Sequence, residues 1–274
     1  MNNGFTFKNR HSSTFGCVVK TNNRPIIPSV KTYTYSAMLQ DGEYDFTEAN
    51  PYGREFYNKR EMSVSLQVFA DNLEGLNRKV GNIAAWLCGS GYLIFDDTKN
   101  VRWKARVNQD ISYAPETRGK KAILTVVFDV GAFAESVFTM SEGPLLDSDI
   151  ILNSNLLLTT EQEYTINQLD SEVTEFNLPN YGTRPIVPII HITGENGKYT
   201  LSNGDLSISA EGSDIVFDFI LQRVTQNNEI IEGFGEFFEI LDKLYFTSDT
   251  EGEYTISIDY RPKCVWDLGG DLYA

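Results

Sequence analysis

The chain has 274 residues, 41% hydrophobic and 12% aromatic, with a formal net charge of −15. That length favours two domains, each with apolar residues to fill a core. So acidic a balance argues against a basic nucleic-acid-binding surface and against adhesion to anionic lipid. The three cysteines, Cys17, Cys88 and Cys264, are far apart and form no CxxC pair. They argue against a disulfide framework and for maturation in a reducing cytoplasm. No basic-then-apolar leader opens the sequence, and no run approaches the ~20 apolar residues of a membrane span. Neither export by a leader nor membrane insertion is expected.

Phe5 and Phe7 alternate before a polar turn over residues 9–13, and residues 15–19 read as a strand. Arg24-Pro25 to Pro28 is an extended, proline-limited connector. Tyr33 and Tyr35 alternate on a further strand. Residues 40–60 combine charge, turn signals at Asp41-Gly42 and Asn50-Pro51, and the aromatics Tyr44, Phe46, Tyr52, Phe56 and Tyr57. A segment this long without core periodicity is functional or disordered, and its aromatics argue against disorder.

Met62, Val64, Leu66 and Val68 alternate with polar residues, which predicts a half-buried strand. Residues 71–97 read as one helix running into one strand. Leu73, Leu76, Val80, Ile83, Ala84 and Leu87 share a helical face. Asp71 and Glu74 stand where an N-cap and its reciprocal partner belong, and Gly89 suits a left-handed stop. Cys88 is expected as a small buried hydrophobe. Trp86 is expected to pack against the strand at 92–95 or a neighbouring sheet, or else to anchor an interface. Residues 101–107 and 122–130 are two more strands.

Strand signals fade near Phe138, and residues 141–144, with Gly and Pro together, are the linker candidate. The expected domains are therefore 1–140 and 141–274. The first is α+β, mainly strand with one helix. The second reads as a β-sandwich, with strands at 164–166, 187–192, 206–210, 215–220, 244–246 and 254–260. Turns are expected at Asn196-Gly197, Asn203-Gly204 and Glu251-Gly252. Residues 236–241 are ambiguous and could be helical.

The two histidines, His11 and His191, suggest no active site. His11 precedes Ser12-Ser13, but neighbours on an extended chain point to opposite faces and should not pair as a triad requires. His191 lies within a strand and reads as structural. No clustered Cys and His suits zinc, no phosphate loop is present, and Gly233-Phe234-Gly235 lacks the pattern of a dinucleotide loop. Arg102, Lys104 and Arg106 share one strand face, read as solvated. Much strand and aromatic content without a convergent polar constellation points to a structural or binding protein. No catalytic, cofactor-binding or metal residues are assigned.

The order of these elements carries a resemblance. Phe5 to Phe7, then His11-Ser12-Ser13-Thr14-Phe15-Gly16, the aromatic loop, the strand at 62–69, the helix ending Ala85-Trp86-Leu87 and the strand at 92–97 resemble the N-terminal domain of distal tail proteins (Dit) of long-tailed, siphovirus-type bacteriophages. Asn180-Tyr181-Gly182-Thr183-Arg184-Pro185, followed by Pro188-Ile189-Ile190-His191-Ile192-Thr193-Gly194, is similar to the segment that opens their C-terminal sandwich. The resemblance implies a homohexameric ring of N-terminal domains. That ring joins the tail tube protein to the tail-associated hub protein and often anchors receptor-binding protein. It also implies a galectin-like or carbohydrate-binding-module-like second domain, a place in the virion at the tail tip, and assembly in the host bacterial cytoplasm. No cofactor is implied. A carbohydrate-binding module protein without catalytic activity is the alternative. Within either frame, Tyr44, Phe46, Tyr52, Arg54, Phe56, Tyr57 and Arg60 have the side-chain mix of interface cores. They are candidate contacts between subunits or with the tail tube, unless the segment folds back as a hairpin on its own domain.

Overall fold

Ten residues with strict alternation, Arg60–Phe69, form the strand on which the first half of the molecule is built. This computed structural model describes residues 4–38, 41–49, 55–111, 113–116, 120–140, 163–169 and 172–268. The chain divides into two compact units, Met1–Ala134 with Val265–Asp267, and Glu135–Cys264 with Leu268–Ala274. The linker candidate at 141–144 lies outside the described residues.

The first unit contains β1 (Phe5–Phe7), β2 (Arg10–His11), β3 (Cys17–Asn23), β4 (Thr34–Tyr35), β5 (Tyr44–Asp45), β6 (Arg60–Phe69), α1 (Leu73–Leu87), β7 (Ser90–Phe95), β8 (Val101–Val107), β9 (Ala114–Glu116) and β10 (Lys121–Val130). Its sheet runs β2-β1-β7-β8-β10-β6-β3, with β9 also on β10 and β4–β5 a separate hairpin. These strands pair antiparallel, and β6 meets β10 along its whole length, from Phe69 opposite Lys121 to Arg60 opposite Val130. Met62, Val64, Leu66 and Val68 are buried on one face, as their alternation predicts. Apolar burial of this kind, at roughly 25 cal/mol per Å², is the main favourable term of the fold.

The helix forms where its periodicity puts it, but two details differ. Asn72, not Asp71, is the N-cap: its side chain accepts the Gly75 N–H at 2.8 Å. With the cap at Asn72, the third helical position is Gly75, which has no side chain to reach back. Glu74 instead sits in the first turn, where the helix dipole favours it. The buried face is Leu76, Ile83, Trp86 and Leu87, whereas Leu73 is 49% exposed and Ala84 faces outward. Gly89 takes φ +89 and ends the helix as expected. Cys88, at the cap, is exposed rather than buried. Phe15 ends a short 3-10 turn, Ser12–Phe15, and the strand begins only at Cys17 because Gly16 is left-handed.

The second unit holds β11 (Ala134–Ser136, starting one residue before it), β12 (Glu163–Gln168), β13 (Thr174–Asn177), β14 (Ile189–Ser202), β15 (Ser207–Asp218), β16 (Arg223–Gln226), β17 (Glu229–Ile231), β18 (Phe234–Gly235), β19 (Lys243–Ser248), β20 (Gly252–Asp259) and β21 (Lys263–Cys264). The two layers expected of a sandwich share strands in one continuous hydrogen-bonded sheet. Ile189 to Thr193 of β14 pair with β20, and Tyr199 to Ser202 pair with β19. Asn196-Gly197 is therefore no turn. It lies at the bulge where β14 changes partners, and a bulge bends and twists a strand without ending it. Likewise 206–220 holds one long strand rather than two. Residues 236–241 are not helical. Residues 236–239 are irregular, Phe238 and Ile240 are buried, and Ile240 bridges to Ile186. The core closes around Tyr199, Phe217, Phe246 and Tyr254, with Tyr199 edge-on to Tyr254 at 5.5 Å. Burial first, with nearby acidic groups adding to it, raises the Tyr199 phenol well above its ordinary value.

Candidate assembly interface

The aromatic segment is a hairpin carried on its own unit. Thr34 pairs with Asp45 and Tyr35 with Tyr44, and Val30 bridges to Tyr57 at its base. The Phe46 N–H donates to the Tyr33 carbonyl at 2.8 Å, and the Lys31 N–H to that of Phe56 at 2.7 Å. Thr47 braces the end of the hairpin away from its turn, its hydroxyl accepting the Tyr33 N–H at 3.2 Å. Its N–H and hydroxyl hold the Asp45 carboxyl below the usual carboxylate range. The local path is thus fixed, while the side chains on it are not covered. Tyr33 is 56%, Tyr35 62%, Met38 92%, Tyr44 48% and Phe46 51% exposed, with Ile26 and Ile27 exposed nearby. An apolar cluster of this make-up on one element makes the hairpin a candidate interaction surface.

The sequence-predicted residues therefore separate. Tyr44 and Phe46 stand together, ring centroids 6.3 Å apart, on the exposed hairpin. Phe56 and Tyr57 are half-buried at its base, where Tyr57 packs edge-on against Phe133 at 5.3 Å and donates to Glu55. Tyr52 and Arg54 lie outside the described residues. Arg60 does not belong with the exposed set. It is 3% exposed, and its guanidinium donates to the carbonyls of Pro25, Ile26 and Val265 at 3.1, 2.8 and 2.8 Å. A buried cation must be paired in this way to be tolerated, so Arg60 holds the base of the unit together. Reading by residue type missed Tyr33, Tyr35 and Met38, which precede the turn signals but lie on the partner side of the same hairpin.

His11 departs from its expectation. Its Nδ1 lies 2.7 Å from Ser13 Oγ and accepts the Ser13 N–H at 3.2 Å, while Nε2 meets Asp96 at 3.1 Å. His11 itself is extended at the end of β2, and the 3-10 turn that begins at Ser12 brings Ser13 back to its ring. His11 is the N-cap of that turn, and Asp96, which also accepts the Gly4 N–H at 2.9 Å, fixes its tautomer. His191 pairs across strands with Asp214 at 2.5 Å on an exposed face. Among the described residues no group of three or more His, Cys, Asp or Glu could hold a metal ion, and no helix is long and apolar enough to cross a membrane.

Charge is unevenly divided. The first unit has 17 Lys and Arg against 14 Asp and Glu, a net of +3, and the second has 6 against 24, a net of −18. The acidity read from the whole chain therefore belongs to the second unit. Charge repulsion of nucleic acid is a property of that unit and not of the one that carries the hairpin.

Residues 17–129, from the start of β3 into β10, match the phage tail protein RIFT-related domain family. Most of the first unit is thus similar to that phage tail domain family. The chain as a whole has the fold of the Dit protein (gp 19.1) of phage SPP1, described as a paradigm of the hub adsorption apparatus in phages infecting Gram-positive hosts. That structure aligns with a TM-score of 0.59 at 12% identity, over 95% of this chain and 98% of that one. A chain of the phage p2 baseplate, in its activated conformation with Sr, aligns over 96% of this chain and 99% of that one at 10% identity. Its TM-score is 0.39. No curated protein sequence matches.

Proposed function

We propose that this chain is a structural virion protein, six copies of which close into a distal tail ring between the tail tube and the hub or baseplate. The ring-forming part is the domain within 1–140. The carrying observation is that a phage tail domain fold and an uncovered aromatic hairpin occur on the same unit. Tyr33, Tyr35, Met38, Tyr44 and Phe46 are the side chains assigned to contacts between copies or with the tube protein. The second domain, within 141–274, serves as adaptor for host-adsorption components such as a receptor-binding protein. In this reading the protein is built in the host bacterial cytoplasm and resides in the tail tip. It catalyses nothing, needs no cofactor, and neither binds nucleic acid directly nor enters a membrane.

Light scattering on the eluting full-length protein tests the reading. A ring has six times the 30.9 kDa chain mass, and a carbohydrate-binding module protein, the alternative class, runs as one or two chains. A strictly monomeric species at high concentration overturns the ring.

A further inference from the structure

Val265, Trp266 and Asp267 belong to the first unit, while Cys264 before them and Leu268 after them belong to the second. Both flanks are buried, Cys264 at 1% and Leu268 at 8% exposed. Three extended residues span about 10 Å at most, so this short strap has no slack to absorb a shift of its flanks. Its seat is made by two arginines and an indole. Arg60 Nη2 donates to the Val265 carbonyl at 2.8 Å. The Trp266 ring stands edge-on to Trp103 with centroids 6.2 Å apart. The Arg24 guanidinium lies 4.9 Å from the Trp266 centroid and 4.4 Å from that of Phe95, and Asp97 holds it by a 2.8 Å hydrogen bond.

The same two arginines hold the stem of the exposed hairpin. Arg24 leads into Pro25 and Ile26 on the outgoing arm, and Arg60 ends the returning arm. Arg60 Nη1 joins the arms, donating to the carbonyls of Pro25 and Ile26 at 3.1 and 2.8 Å. The stem then closes rung by rung. The Asn58 N–H donates to the Ser29 carbonyl at 2.8 Å, Val30 bridges to Tyr57, and the Lys31 N–H donates to the Phe56 carbonyl at 2.7 Å. One guanidinium thus carries the strap on Nη2 and the hairpin stem on Nη1. Arg60 is 3% exposed, so water does not readily replace a lost Val265 carbonyl. The guanidinium is a rigid planar fork, and turning it after the strap also turns the donor that holds Pro25 and Ile26. We propose that residues 265–267 are a strap through which the second unit sets the order of the hairpin stem, with Arg60 as the positioning residue between them. Such coupling is reciprocal, so a hairpin ordered by assembly also holds the strap in its seat. That last consequence rests on the hairpin being the assembly surface; the coupling itself does not.

Hydrogen–deuterium exchange of the full-length protein, followed by mass spectrometry of its peptides, tests the coupling. Light scattering gives the mass of each sample, so a failed ring and a failed strap are read separately. Trp266→Ser should speed exchange about fivefold in peptides spanning 29–35 and 55–59, with peptides of α1 and β10 staying within about twofold of the parent. Trp266→Phe keeps a ring beside Trp103 and Arg24 and should stay within about twofold throughout. Arg60→Lys keeps the charge but loses the fork. Its stem should already exchange fast, and adding Trp266→Ser should change it by less than about twofold. Unmoved stem peptides in Trp266→Ser overturn the proposal. So does a rise shared equally by α1 and β10, which is general loosening. An undiminished effect of Trp266→Ser in the Arg60→Lys protein overturns it too, because Arg60 is then not in the path.

Discussion

The indole Nε1–H of Trp86 donates to the main-chain carbonyl of Phe7 across 2.9 Å, joining the last turn of α1 to β1. The same ring stacks on Phe15 at 4.4 Å and on Phe5 at 5.3 Å, and is 5% exposed. Trp86 is therefore a core residue of the first unit, not an interface anchor. Trp86→Ala removes both the ring and the donor and should cost about 3–5 kcal/mol. Trp86→Phe keeps most of the packing but removes the indole donor to the Phe7 carbonyl, at about 0.5–1.5 kcal/mol. Denaturant midpoints for the two variants should fall in that order, with the larger loss in Trp86→Ala.

Arg60 supports a second prediction. It draws Val265 into the first unit, and Arg24 does the same for Trp266, its guanidinium lying 4.9 Å from the indole. Arg60→Ala removes the charged donor from three partly buried carbonyls and should destabilise the first unit by roughly 1–3 kcal/mol. Deleting residues 265–274 should lower the same thermal transition. If calorimetry finds that transition unmoved by either change, the return of the chain to the first unit is not stabilising.

The hairpin should separate assembly from stability. Tyr35→Ser with Phe46→Ser removes exposed rings and should shift the melting temperature by no more than a degree or two, within the ~0.5 kcal/mol usual for surface changes. The oligomer should dissociate at protein concentrations where the parent stays assembled. Sedimentation velocity beside a thermal melt measures both.

Acid stability should report on Arg24 and Asp97. The hydrogen-bonded Arg24 guanidinium holds the Asp97 carboxyl below the usual carboxylate range. A carboxyl depressed in the folded state contributes stability that is present above its unfolded pKa of about 4 and lost as pH falls through the folded value. Asp97→Asn should therefore weaken the protein at neutral pH and flatten its loss of stability below about pH 4. Urea midpoints at pH 7 and pH 3 for both proteins measure this.

How legible all this was depended on the range of the interactions. α1 and β6 could be read because their apolar residues repeat at 3.6 and 2, a property of a single element. The N-cap slipped by one residue because Asp71 and Asn72 are both able to cap, and only the Gly75 N–H decides between them. Asn196-Gly197 has the composition of a hairpin turn, yet pairing with β15 and β20 carries β14 on through a bulge. The burial of Arg60 depends on Val265, 205 residues away, which no local pattern records. Of the candidate interface, the sequence showed the side-chain mix at Tyr44 and Phe46. It did not show that Tyr33 and Tyr35 face outward on the facing strand, because hairpin register is a tertiary fact.

The central claim is a closed ring, and negative-stain electron microscopy of the purified full-length protein tests it most directly. Class averages should show particles of sixfold symmetry with a central opening. Isolated monomers at every concentration, or open filaments that do not close, would contradict the account.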